Sequence, residues 1–81
     1  MIDYVGLVHG AIPEGRTVAI LDEVKADIPD GTRFDFIIDG ARPVYHTTKA
    51  SFPDNSGRTV IIFEPPTWNA IPDNCMVVLV K

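Results

Sequence analysis

The sequence predicts an all-β protein: a small antiparallel barrel or sandwich of about six short strands, with at most one or two turns of helix. Two observations carry this. A turn-forming tetrad recurs three times, as IPEG at Ile12 to Gly15, IPDG at Ile28 to Gly31 and IPDN at Ile71 to Asn74. Each copy leads into a run rich in β-branched and aromatic residues, namely Thr17 to Leu21, Arg33 to Ile38 and Cys75 to Val80. Three further segments, Asp3 to His9, Pro43 to Thr48 and Arg58 to Glu64, have the same character.

In each tetrad, proline holds its φ near about −65° and pushes the isoleucine before it toward extended geometry. That suits a type I turn with Pro at its second position and Gly15, Gly31 or Asn74 at its fourth, and the isoleucine is expected to anchor in the core. Asp39-Gly40, just before Ala41, suggests a hairpin between the third and fourth strands. The fourth and fifth are separated by KASFPDNSG, and the fifth and sixth by EPPTWNAIPDN. Between Ala19 and Asp27 the residues are good helix formers, with Ile20, Leu21, Val24 and Ile28 roughly on one helical face, so a turn or two of helix after Asp22 is compatible with the pattern. TVAILDEVKADIPDG also aligns with TVIIFEPPTWNAIPDN when one residue is inserted in the second copy. This echo suggests two related strand-loop-strand units and a pseudo-twofold arrangement.

Eighty-one residues make one domain, 1–81, which buries a modest share of its surface. Eleven acidic against seven basic residues give a net charge of −4, and the basic residues are scattered singly, which disfavours nucleic acid as a partner. Cys75 is the lone cysteine, so no intrachain disulfide can form. The first residues carry no basic stretch typical of a signal peptide, and the apolar runs Val60 to Phe63 and Met76 to Val80 are too short to span a bilayer. The expected setting is therefore the cytoplasm or a virion.

The fifth and sixth strands are apolar on both faces. Thr59, Ile61 and Phe63 back onto Val60 and Ile62, while Met76, Val78 and Val80 back onto Cys75, Val77 and Leu79. A strand with one wet face alternates with polar residues, so these need cover on both sides. The chain's own loops, notably Pro65 to Pro72, can supply it, or another chain can. A C-terminal strand at a sheet edge would add a second route, strand addition between chains. By contrast, the third strand is expected to turn Phe34, Phe36 and Ile38 inward and Arg33, Asp35 and Asp39 outward.

No reactive constellation stands out. His9, His46 and Cys75 show no zinc-ligand spacing, and Cys75, which opens an apolar strand, reads as a core residue before it reads as half of a Cys-His dyad. The acids from Asp22 to Asp30 sit where turns need polar groups, and no glycine-rich phosphate loop occurs. The expectation is a protein without catalytic, cofactor or metal residues and without a small-molecule substrate.

Trp68 lies between stiffening prolines, and rigid loop aromatics are common binding hot spots. The expected protein-contact residues are Trp68, Pro65, Pro66, Phe52, Tyr45, Val60, Ile62, Val77 and Leu79. The leading expectation is a structural or assembly protein that binds copies of itself or a larger assembly. In general outline such a chain is similar to small virion components of tailed phages, such as decoration, adaptor or tail proteins, a likeness of fold type. The alternative is an acidic inhibitor or regulatory binder of a host nucleic-acid-binding protein, suggested by the Asp22 to Asp30 stretch.

Overall fold

A computed structural model describes residues 2–80. Its strands are β1 (Ile2–Val8), β2 (Val18–Asp22), β3 (Arg33–Ile37), β4 (Tyr45–Pro53), β5 (Thr59–Glu64) and β6 (Met76–Val80). They close into a barrel in the order β1-β2-β5-β4-β3-β6, with every neighbouring pair antiparallel. The all-β expectation holds, and no helix occurs among the described residues. Closure gives β6 a neighbour on each side, β1 and β3, so the strand-addition route falls away with the sheet edge.

Ile12, Ile28 and Ile71 are buried, and the next strand follows each tetrad, as expected. The turn itself sits one residue later than the sequence suggests. Thr32 N–H donates to the Pro29 carbonyl at 3.1 Å and Cys75 N–H to the Pro72 carbonyl at 3.3 Å, so proline opens the turn and the next two residues form its centre. Gly31 and Asn74 take left-handed φ of 88° and 61° there. Glycine adopts that conformation freely and asparagine tolerates it, which decides the register of the turn. At the first tetrad Thr67 does the equivalent work: Gly15 N–H donates to its carbonyl at 2.9 Å, and its hydroxyl donates to the Pro13 carbonyl at 3.0 Å.

Two local expectations are corrected. Ala19 to Asp27 is not helical, because β2 runs to Leu21 in its ladder with β5 and to Asp22 in its pairing with β1, and the chain then bends at Glu23, φ 54°. The segment KASFPDNSG is mostly strand, because β4 pairs with β5 as far as Pro53↔Thr59 after a bulge between Thr48 and Ala50. Only a tight turn remains, held by Asp54 Oδ1, which accepts from Ser56 N–H at 2.8 Å and Arg58 N–H at 2.9 Å. Those bonds, led by the Ser56 side chain's, hold the Asp54 carboxyl below the usual range.

The internal echo corresponds to symmetry in the fold. The ring is unchanged when β1 is exchanged with β4, β2 with β5, and β3 with β6. The registers follow the same exchange. Val18↔Ile62 maps onto Ile20↔Val60 about the central pair Ala19↔Ile61, and Arg33↔Val80 maps onto Met76↔Ile37 about Asp35↔Val78. Even the bonds that seat the tetrads repeat: Asn74 N–H to the Val8 carbonyl at 2.9 Å has its counterpart in Gly31 N–H to the Thr48 carbonyl at 2.7 Å.

The barrel interior is filled by Phe34, Phe36, Phe63, Leu21, Ile61, Val5, Val8, Val77 and Leu79. Val77 and Leu79, expected to line a protein contact, are buried in the chain's own core. Asp35 is also buried despite its outward position in β3, because the loop to β4 folds over it and Val44 N–H donates to its carboxylate at 3.3 Å.

One core position breaks the pattern. Thr48 Oγ1 is buried without a hydrogen-bond partner, while the pseudo-symmetric position holds Val8. An unsatisfied buried hydroxyl costs about 1–3 kcal/mol. Thr48→Val is therefore expected to be neutral or stabilising by up to about 2 kcal/mol in chemical denaturation; a clear loss of stability would contradict the assignment of Thr48 as an orphaned polar group.

Candidate functional site

The outward side chains of β2, β5 and β4 form a contiguous apolar face on the exterior. Along β2 they are Val18 and Ile20, along β5 Val60 and Ile62, and along β4 Ala50 and Phe52. The ladders place them in two rows, Val18–Ile62–Ala50 and Ile20–Val60–Phe52. Val18 and Phe52 are nearly half exposed, at 46% and 47%, and the other four are half-buried.

Charged pairs bracket both ends of this face. At one end Arg58 Nε donates to Asp22 Oδ1 at 2.6 Å, and His9 Nδ1 lies 3.1 Å from Asp22 Oδ2. At the other, Lys49 Nζ lies 2.6 Å from Glu64 Oε1. Exposed pairs of this kind contribute little to stability. An apolar centre with a polar rim is the anatomy of a protein contact surface.

Of the residues expected to make protein contacts, the structure gathers Phe52, Val60 and Ile62 on this face. Trp68, 62% exposed, stands apart on the β5–β6 loop with the exposed Pro65 and Pro66. Tyr45 lies on β4 with the Arg33 guanidinium 4.9 Å from its ring centroid. Sequence reasoning missed Val18, Ile20 and Ala50. The signal for two of them was present, since the echo aligns Val18 with Val60 and Ile20 with Ile62.

Asp35 lies near both His46 and Cys75, but each of these two bonds to a backbone carbonyl. His46 Nδ1 donates to the Pro65 carbonyl at 2.7 Å, and its ring is packed among Phe63, Phe36 and Phe34 at centroid distances of 4.9, 5.3 and 5.5 Å. Burial pushes its pKa below the ordinary value, against the raising effects of the Pro65 carbonyl and Asp35. Cys75 donates its thiol to the Ile37 carbonyl at 3.2 Å, and burial, with the Asp35 charge adding to it, pushes its pKa up. Burial likewise raises Asp35, against the hydrogen bond from Val44 and the nearby His46. So Cys75 bonds to a backbone carbonyl and each histidine has a partner other than the thiol.

The cleft above Asp35 and His46, walled by Arg42 and Trp68, has a volume of about 20 Å³, room for about one water. A wider open groove of about 620 Å³ runs between Ala26 to Arg33 and the end of β6, with Asp27 and Arg33 as its charged groups. No cluster of three or more His, Cys, Asp or Glu fit to hold a metal occurs among the described residues. No helix among them is long and apolar enough to cross a membrane.

Fold and face together define a closed six-stranded antiparallel barrel that carries an apolar, charge-rimmed outer surface. Comparison with protein-family models, curated proteins and solved structures gives no match for the chain.

The depressed pKa of His46 has a consequence for stability. A histidine kept neutral in the folded state contributes stability that is fully present above its ordinary pKa of 6.5 and is lost as pH falls through the lower folded value. The raised Asp35 acts in the opposite sense: its contribution is fully present below the ordinary value of 3.8 and is lost as pH rises through the higher folded value. Between about pH 7 and about pH 5 His46 thus lowers the melting temperature as pH falls while Asp35 works against it, and His46→Phe should remove the His46 contribution to that slope whatever it does to the baseline. Parallel slopes in the two proteins would contradict the assignment to His46.

Proposed function

We propose that this protein is a non-enzymatic assembly module, which binds other protein subunits through the outer face of β2, β5 and β4. The observation that supports this reading is the contiguous set Val18, Ile20, Val60, Ile62, Ala50 and Phe52, only partly covered by the chain and bounded at its two ends by ion pairs. A six-stranded barrel needs only its inward residues for the core, so two rows of outward aliphatic and aromatic groups add exposed apolar area without serving closure. Contact with another subunit gives that area a use. A small barrel that joins or decorates a larger protein shell, as small virion components do, is a setting that such a face fits.

The inhibitor reading draws less support from the geometry. Asp22, the first acid of its stretch, is engaged by Arg58 and His9, which reduces the charge available to mimic a phosphate chain.

Replacing Val18, Ile20, Val60 and Ile62 by threonine keeps strand propensity and removes the apolar surface. The expected outcome is an intact fold, with losses on the order of 1 kcal/mol per site, and a marked drop in apolar-dye fluorescence and in retention on a hydrophobic column. Unchanged dye binding and retention in a folded variant would remove the basis for the reading.

A further inference from the structure

The β2–β5–β4 face carries a symmetry that bears on its occupant. Resting on the reading of this face as a protein-binding surface, we propose that its partner is a second copy of this chain, packed face to face across Val18, Ile20, Val60 and Ile62.

The first argument is the internal twofold. The exchange that relates the two halves of the chain runs through the Ala19↔Ile61 pair, in the middle of the face. It carries Val18 onto Val60 and Ile20 onto Ile62, so these four side chains have the same outline in either of two orientations half a turn apart, while Ala50 and Phe52 on β4 lie outside the exchange. These four side chains therefore offer a second copy two near-equivalent ways to dock.

The second argument is charge. Asp22 on β2 lies across from Arg58 beside β5 and is bonded to it. At the opposite end the ladder is continued by Phe63 N–H donating to the Thr17 carbonyl at 2.9 Å, which puts the exposed Arg16 across from Glu64. Signs therefore alternate around the four corners: Asp22 and Arg16 on the β2 side, Arg58 and Glu64 on the β5 side. A dimer axis lying in the interface plane, along the strands or across them, sets each corner opposite a corner of the other sign. Like charges meet in neither arrangement.

This pattern also separates the face from the rest of the molecule. The chain carries a net charge of −4, which opposes association with its own copies. On this face Asp22 and Glu64 are balanced by Arg16, Arg58 and Lys49, so it is a place where two copies can approach without that penalty. The apolar centre is three strands wide, about 15 Å at the usual strand spacing, which is small for an interface. Association is accordingly expected to be reversible, with a Kd on the order of micromolar or weaker.

Sedimentation velocity of the full chain, from about 1 μM to about 1 mM, tests the proposal. The expected result is a shift from monomer to dimer that weakens with added salt, and a loss of at least about tenfold in association for Ile62→Glu, with Trp68→Ala unaffected. Should Ile62→Glu fail to fold, Val18→Lys, at the most exposed aliphatic position of the face, serves the same purpose. A chain that stays monomeric across the range overturns the proposal, as does a dimer that survives both face substitutions and dissociates in Trp68→Ala. If the monomer still loses dye binding on threonine replacement, the protein-binding reading stands and the partner is a different protein; if dye binding is unchanged, that reading falls as well.

Discussion

The ladder between β2 and β5 is the constraint on which the rest of the structure depends. It joins the two halves of the chain at Ala19↔Ile61, and with its counterpart between β3 and β6 it closes the ring. One side of this ladder, Ala19, Leu21, Ile61 and Phe63, is buried in the core. Its other side has no helix or second sheet over it, since no helix occurs among the described residues and the strands form one closed barrel. The hydrocarbon on that outer side is thus a direct consequence of how the barrel closes and of which residues stand at alternate positions.

The two strands read as apolar on both faces turn out to solve their burial differently. In β6 the inward Val77 and Leu79 fill the core, and the outward Val78 is nonetheless buried between its register neighbours Tyr4 and Asp35. In β5 the inward Ile61 and Phe63 are buried, while the outward Val60 and Ile62 keep partial exposure beside Val18 and Phe52. In β6 the exposed apolar residue is Met76, beside Ile37 of β3, whereas β5 adds two to a wider face.

Much of the fold was legible. The tetrads marked strand starts because their isoleucines needed burial and their third or fourth residues needed freedom to bend, and all three isoleucines are core residues. What escaped were properties set by partners distant in sequence. The extension of β4 through Lys49 to Pro53 depends on β5, and the strand character of Asp22 depends on its pairing with Leu7 of β1. Asp35 alternates correctly for an exposed residue, yet a loop whose path no local pattern reveals covers it. Of the site, Phe52, Val60 and Ile62 were legible as apolar residues in want of contact, but their joining with Val18 and Ile20 required the β2–β5 pairing. Trp68 is as exposed as a hot spot should be, but no other apolar cluster of comparable size gathers around it.

Amide NMR shifts of the chain, followed over increasing concentration, test the central claim most directly. The account predicts progressive shifts at Val18, Ile20, Val60 and Ile62, with Arg16, Asp22, Arg58 and Glu64 following and the Trp68 loop still. Spectra that do not change with concentration, or changes gathered at Trp68 and Pro66 while β2 and β5 stay fixed, would contradict it.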